Sequence, residues 1–270
     1  MSEQTADRPK RQAEADAGPT QKALRTPRLA GCSSVRDAAE ALLARDTLAS
    51  FVKRPLSDRV AGAFARYVAS RPRWPDTEDL HPLEATHDRI AIIDFLHGHT
   101  LCSAVGYGKG LPPRHSSDVA SASAAIATVL SVLPEELAAA AALDAAELLQ
   151  ALRESSGGRQ YILRLELVLG DTCQRWHRDL NICRSIVTYV GPGTQIAHEQ
   201  GVTREADGSV AAVDAQRAMH AAAGDFLFMK GGLWPGAEGR GAAHRAPSIG
   251  PVPTCAANRL LLKVDCSEEF

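Results

Sequence analysis

The sequence lacks an apolar run of membrane-spanning length. AAIATVLSVL, ending at Leu133, is about half the ~20 residues that a spanning helix needs. It also lacks an excess of either charge: 30 Lys and Arg stand against 32 Asp and Glu, a net charge of -2. A chain so balanced carries no global electrostatic footprint for nucleic acid or for an anionic membrane. The six cysteines, Cys32, Cys102, Cys173, Cys183, Cys255 and Cys266, form no CxxC pair and no short-spaced framework. The opening stretch MSEQTADRPKRQAEADAGPTQK has no apolar core of the kind a secretory signal needs. Together these absences predict a cytoplasmic protein with reduced thiols, without membrane or nucleic-acid partners.

What is present divides into three textures. Residues 1–34 are polar, charged and aperiodic, and too poor in apolar surface to offset the entropy of ordering, which predicts a disordered tail. Residues 35–157 read mainly as helices. SVRDAAEALLA has Ser34 as an N-cap, SDRVAGAFARYVA places Val60, Phe64 and Val68 on one stripe, and LPEELAAAAALDAAELLQALRE puts Pro134 in the first turn and stops at SSGG. HDRIAIIDFLHGHTLC fits a strand or a buried helix segment. Residues 158–270 change period. In QYILRLELV, Tyr161, Leu163, Leu165 and Leu167 share an apolar face, while Ile162, Arg164, Glu166 and Val168 share one that is polar at its centre. This predicts a strand buried on one side and partly solvated on the other. SIVTYV, GDFLFMK and RLLLKVD are further strands, so the region reads as a sandwich or barrel and the chain as α+β.

The stretch CQRWHRDLNICR, residues 173–184, holds the chemistry. His-Arg-Asp-Leu opens the catalytic loop of a protein kinase, but that loop requires Asn where Arg184 stands, and no Asp-Phe-Gly follows. His-x-Asp on a strand is a different motif. His177 and Asp179 project to one side with Cα atoms about 6.6 Å apart, close enough for an imidazole and a carboxylate to meet on one cation. His244, in GAAHRAP, is the best-placed third ligand, giving the two-His, one-carboxylate face of non-haem Fe(II) oxygenases. On the following strand Arg259 and Lys263 lie four residues apart on one face, and either can grip the carboxylate of a 2-oxoglutarate cosubstrate, Arg with the better fork. Cys173 precedes His177 by four residues, so an unbroken strand turns its thiol to the same side. A thiolate there favours zinc, and with it a non-catalytic zinc-binding or metal-homeostasis protein. Arg245 and Arg259 have a structural alternative in pairing with Asp225 or Asp265, and His198 and His220 read as exposed loop residues.

RLELV, CQRWHRD, TYVGPGT, GDFLFMKGGLWPG, GAAHRAP and RLLLKVD occur in the order seen in the bacterial DUF1826 family, which the chain resembles over about residues 160 to 266. The resemblance marks Cys173, His177, Asp179, Arg184 and the Gly191 to Thr194 turn as motif positions. It likewise marks Lys230, Trp234, His244, Arg245, Pro247 and Arg259. Where the family continues Glu-Trp after that turn, this chain has Gln195 and Ile196, so no acid acts there. More distantly, the arrangement is similar to the double-stranded β-helix (jelly-roll or cupin-like) of 2-oxoglutarate oxygenases, which implies N-terminal helices buttressing a C-terminal β-helix core. It also implies Fe(II) and 2-oxoglutarate as cofactors, with zinc as the alternative, and a small-molecule substrate that the residues do not name. Oligomeric state is equally unspecified by these residues.

Overall fold

The computed structural model of the chain describes residues 28–70, 86–96, 99–106, 114–119, 121–158, 160–168, 173–237, 239–247 and 259–267. Four α-helices occur among them, and local chemistry explains their ends. Helix α1 (Val35–Ala41) begins where the Ser34 hydroxyl accepts the Asp37 amide, and α2 (Asp58–Ala69) begins in the same way at Ser57, burying Phe64 and Val68. Helix α3 (Ala122–Leu130) is capped by Ser121. Helix α4 (Glu135–Ser156) has Pro134 at the cap position, one residue before the predicted place, and ends at Gly157 in the left-handed region, φ 64°.

The strands are β1 (Arg28–Cys32), β2 (Thr47–Val52), β3 (Thr86–Leu96), β4 (His99–Gly106), β5 (Arg114–Val119), β6 (Gln160–Val168) and β7 (Cys183–Val190). They continue with β8 (Gln195–Ala197), β9 (Val202–Arg204), β10 (Val210–Val213), β11 (Ala218–His220), β12 (Phe226–Lys230), β13 (His244–Arg245) and β14 (Arg259–Ser267). One sheet of nine strands has the order β1-β2-β12-β7-β14-β6-β3-β4-β5, and a smaller sheet has the order β11-β8-β13, extended by a single bridge from His244 to His177. From β6 onward the chain winds between the two: β6 large, His177 small, β7 large, β8 and β11 small, β12 large, β13 small, β14 large. That alternation, with β12-β7-β14-β6 facing β11-β8-β13, is a double-stranded β-helix, and the fold is α+β as predicted.

Two boundaries move. Arg28–Cys32, assigned to the tail, is a strand paired in parallel with β2, and residues 1–27 lie outside the described residues. The span 35–157 is not only helical. Strand β2 pairs with β12 and β3 pairs with β6, so the sheet runs across the boundary expected at residue 158. The physical reason is that the β-helix leaves β12 and β6 each with an open edge, and short apolar runs such as TLASFV fill it. HDRIAIIDFLHGHTLC resolves as β3 and β4, not as a helix.

Alternate residues of the large sheet serve two different neighbours. Leu260, Leu262, Val264 and Cys266 of β14 join Leu163, Leu165 and Tyr161 of β6 in the core beneath the helices. Cys183 and Cys266, which stand opposite each other on β7 and β14, pack there as buried thiols. A buried Asp144 on α4 ties the helical layer to the sheet, accepting Arg54 Nη2 at 2.8 Å and the Tyr189 hydroxyl at 3.0 Å. The other face looks across at the small sheet and packs Ile186, Leu227, Met229 and Leu261 against Ile196. No helix among the described residues is long and apolar enough to cross a membrane.

Candidate metal centre

The small sheet brings two histidines together from 67 positions apart. His177 and His244 exchange both backbone hydrogen bonds, 3.0 and 2.9 Å, so they stand directly opposite, with ring centroids 4.4 Å apart. Only that one bridge is regular. The predicted strand through Asp179 is absent, and the ligand loop is held by the GGLW turn, where Gly232 N donates to Asp179 O (2.8 Å) and Gly231 N to Ile182 O (2.7 Å). A Cβ on residue 231 would collide with the Asn181 carbonyl, which is why this turn requires glycine.

Held in this way, one ligand atom from each of His177, Asp179 and His244 lies within 4.8 Å of the others. His244 Nε2 is 3.4 Å from Asp179 Oδ2, and His177 Nε2 is 3.8 Å from Asp179 Oδ1. Ligand atoms around a cation at bond lengths of ~2.1 Å stand about 3 Å apart at right angles, so small side-chain rotations suffice. The tautomers also fit. His177 Nδ1 lies 2.8 Å from Arg175 O and His244 Nδ1 lies 3.0 Å from Ala242 O. A carbonyl only accepts, so each Nδ1 carries a proton, and a neutral ring in this tautomer offers its Nε2 lone pair. Burial lowers the His244 pKa to about 4 against the pull of Asp179, which keeps this ring neutral. The group opens on one side, since the His177 side chain is 35% exposed and that of His244 is 5%.

Behind the group the inner face of the large sheet carries charge. Arg184 Nη1 meets Asp179 Oδ2 at 2.6 Å, while its Nε and Nη2 both engage Asp265, the latter at 3.1 Å. Burial alone would lower the Arg184 pKa, but Asp265 and Asp179 reverse this and raise it. Burial would raise the pKa of Asp265, and Arg184 holds it down instead. Lys263 and Arg164 stand opposite each other on β14 and β6, an unfavourable like-charge pair. Each leans diagonally away, Lys263 into close contact with Glu166 and Arg164 toward Asp265 Oδ2 at 3.8 Å. The polar face of β6 is therefore mostly buried inside the β-helix: Glu166 is 7% exposed, and only Arg164, whose side chain is 28% exposed, is partly solvated.

Arg259 lies on the same inner face and is differently placed. It is 3% exposed, its Nη2 reaches the Thr194 hydroxyl at 3.4 Å, and its Nε has no partner among the described residues. Burial lowers its pKa to about 10, opposed by Glu166 and by Cys173, and an arginine at that value stays cationic near neutral pH. Thr194 is set by the Gly-Pro-Gly-Thr turn, where a Cβ on Gly193 would collide with the Ala221 carbonyl.

Cys173 does not join the group. The expected unbroken strand does not form: residue 173 has φ 50°, lies outside any strand and is exposed, and its thiol is not among the atoms that converge. Arg245 does not pair with Asp225 either. It lies on the outside of the small sheet, with Nε 2.6 Å from Gln195 Oε1 and its guanidinium 4.5 Å from the centre of the Trp176 ring. Asp225 bonds the amides of Arg54 and Ala222, and His198 and His220 are exposed as predicted, although His220 belongs to strand β11 and not to a loop. Cys255 lies outside the described residues. In the sequence Arg184 counts against a kinase and stands at a motif position of the family, but with no partner, and Glu166 and Asn181 have no role; the signal for an inner charged face is the polar centre of QYILRLELV.

No curated protein matches the sequence. Among solved structures, a full-length Neurospora crassa protein in complex with alpha-KG is similar at 12% identity and TM-score 0.39, over 88% of this chain and 83% of that one. A Pseudomonas putida prolyl-4-hydroxylase is similar at 12% identity and TM-score 0.40, over 86% and 98%. A putative 2OG-Fe(II) oxygenase family protein from Caulobacter crescentus is similar at 13% identity and TM-score 0.38, over 89% and 86%. Similarity at this depth carries no inference about the chemistry of this chain, which rests on its own residues. A family model described as "Protein of unknown function (DUF1826)" matches residues 109–265, more than half of the sequence, and the chain belongs to that family.

Proposed function

We propose that the protein is a non-haem Fe(II)- and 2-oxoglutarate-dependent oxygenase, with His177, Asp179 and His244 as metal ligands and Arg259 as the anchor for the cosubstrate. The donor set supports iron: two imidazoles and one carboxylate converge with no thiolate among them, and they would hold one face of the ion and leave positions open. Bound there, iron and the cosubstrate would supply dioxygen activation coupled to decarboxylation of 2-oxoglutarate to succinate. The observation that carries the cosubstrate assignment is the Arg259 guanidinium, buried with its Nε unpartnered among the described residues. Such a group is costly unless an anion completes it, and a carboxylate matches its fork. Lys263 is the weaker candidate because Glu166 already engages its ammonium. The zinc reading with a Cys173 ligand loses its support with that thiol outside the group.

The test is succinate release from 2-oxoglutarate in air by untagged, Fe(II)-loaded protein. Wild type is expected to release succinate slowly without a substrate. Arg259→Met is expected to need roughly 10- to 100-fold more 2-oxoglutarate, the loss of a charged hydrogen-bonded anchor. Iron-loaded wild type that releases no succinate would contradict the oxygenase assignment.

A further inference from the structure

We infer that Arg184 is the positioning residue of this centre, occupying one oxygen of Asp179 so that the carboxylate meets the metal through the other alone. The inference rests on the proposed role of Asp179 as a ligand. All three guanidinium nitrogens are committed: Nη1 to Asp179 Oδ2 at 2.6 Å, Nη2 to Asp265 Oδ2 at 3.1 Å and Nε to Asp265 Oδ1. Asp265 is itself fixed, because Asn181 Nδ2 donates to its Oδ1 at 3.1 Å. Arg184 and Asp265 are cross-strand neighbours on β7 and β14, two inner strands of the large sheet, so Asp179, on a loop, borrows its orientation from a regular element.

The consequence for coordination is specific. A carboxylate free to rotate can chelate a cation through both oxygens and use two positions. With Oδ2, the oxygen nearer His244, held by Arg184, Asp179 would offer a metal Oδ1, which lies 3.8 Å from His177 Nε2, and so use one position, and a six-coordinate ion would keep three open. Charge and geometry predict opposite signs when Arg184 is removed. A cation beside the site repels the metal, so on charge alone its loss tightens metal binding. Asp265 already balances that charge, however, and the remaining contribution of Arg184 is orientation, whose loss weakens binding.

Co(II) binding by the full-length apo-protein tests this, since visible absorption reports both affinity and coordination number. Arg184→Gln is expected to bind Co(II) about 10- to 100-fold more weakly, with a changed spectrum, and Arg184→Lys is expected not to restore either, because a single ammonium cannot span both carboxylates. Asp265→Asn, which touches none of the three ligands, is expected to weaken binding in the same direction by less. Equal or tighter binding with the wild-type spectrum in Arg184→Gln overturns the inference. Should that variant fail to fold by circular dichroism, an unchanged affinity and spectrum in Asp265→Asn overturns it. Wild type that takes up no Co(II) removes the ligand assignment itself, and this inference with it, whereas variants that bind as wild type does remove only the role of Arg184.

Discussion

Strand β14 shows two faces of one sheet under two kinds of constraint. Leu260, Leu262, Val264 and Cys266 pack beneath the helices, where only shape and apolar area matter. Arg259, Leu261, Lys263 and Asp265 alternate with them and point into the β-helix, where three of the four are charged and buried or half-buried. The first face stabilises the fold. The second spends stability, because each ion there must find its partner, and it holds charge in place behind three convergent side chains.

This difference can be broken from either side. The largest effect on stability is expected from Leu262→Ala, a fully buried side chain on the helix face, which should destabilise by about 4 kcal/mol while the folded fraction binds metal normally. Denaturant unfolding alongside metal content checks this, and loss of metal from protein that remains folded would show that the faces are not independent. A smaller effect is expected from Lys263→Met, which leaves Glu166 buried without its partner and should cost roughly 3 kcal/mol. The double variant Lys263→Met/Glu166→Leu should recover most of that loss. If the double variant is as unstable as the single, the pair is not the reason these charges tolerate burial.

The same contrast explains what was legible in the sequence. Helix ends at Ser34, Ser57 and Gly157 and the strands at residues 160–168 and 259–267 follow from local chemistry and period, and they form. The three convergent residues were legible because His177 and Asp179 are close in sequence and His244 precedes a strand. Alternation reports that two faces differ, but it does not distinguish water from an internal ionic network, so the face of Arg164 and Glu166 read as partly solvated. Arg184 stood out for not being Asn and as a motif position, but nothing local reveals its partner 81 positions away. Cys173 misled because its placement assumed a continuous strand, and a residue at φ 50° breaks the alternation. Strand β2 escaped, and β3 and β4 stayed open between strand and helix, because short apolar runs suit either, and the open edges of β12 and β6 decide between them; β5, RHSSDV, has no apolar run to signal it.

The central claim is that the charged face exists to serve one cation held by His177, Asp179 and His244. Metal analysis of untagged protein, wild type against His177→Ala with both shown to be folded, tests it most directly. The account predicts one equivalent of metal in the wild type and its loss in the variant. An equal metal content in the two proteins would contradict it.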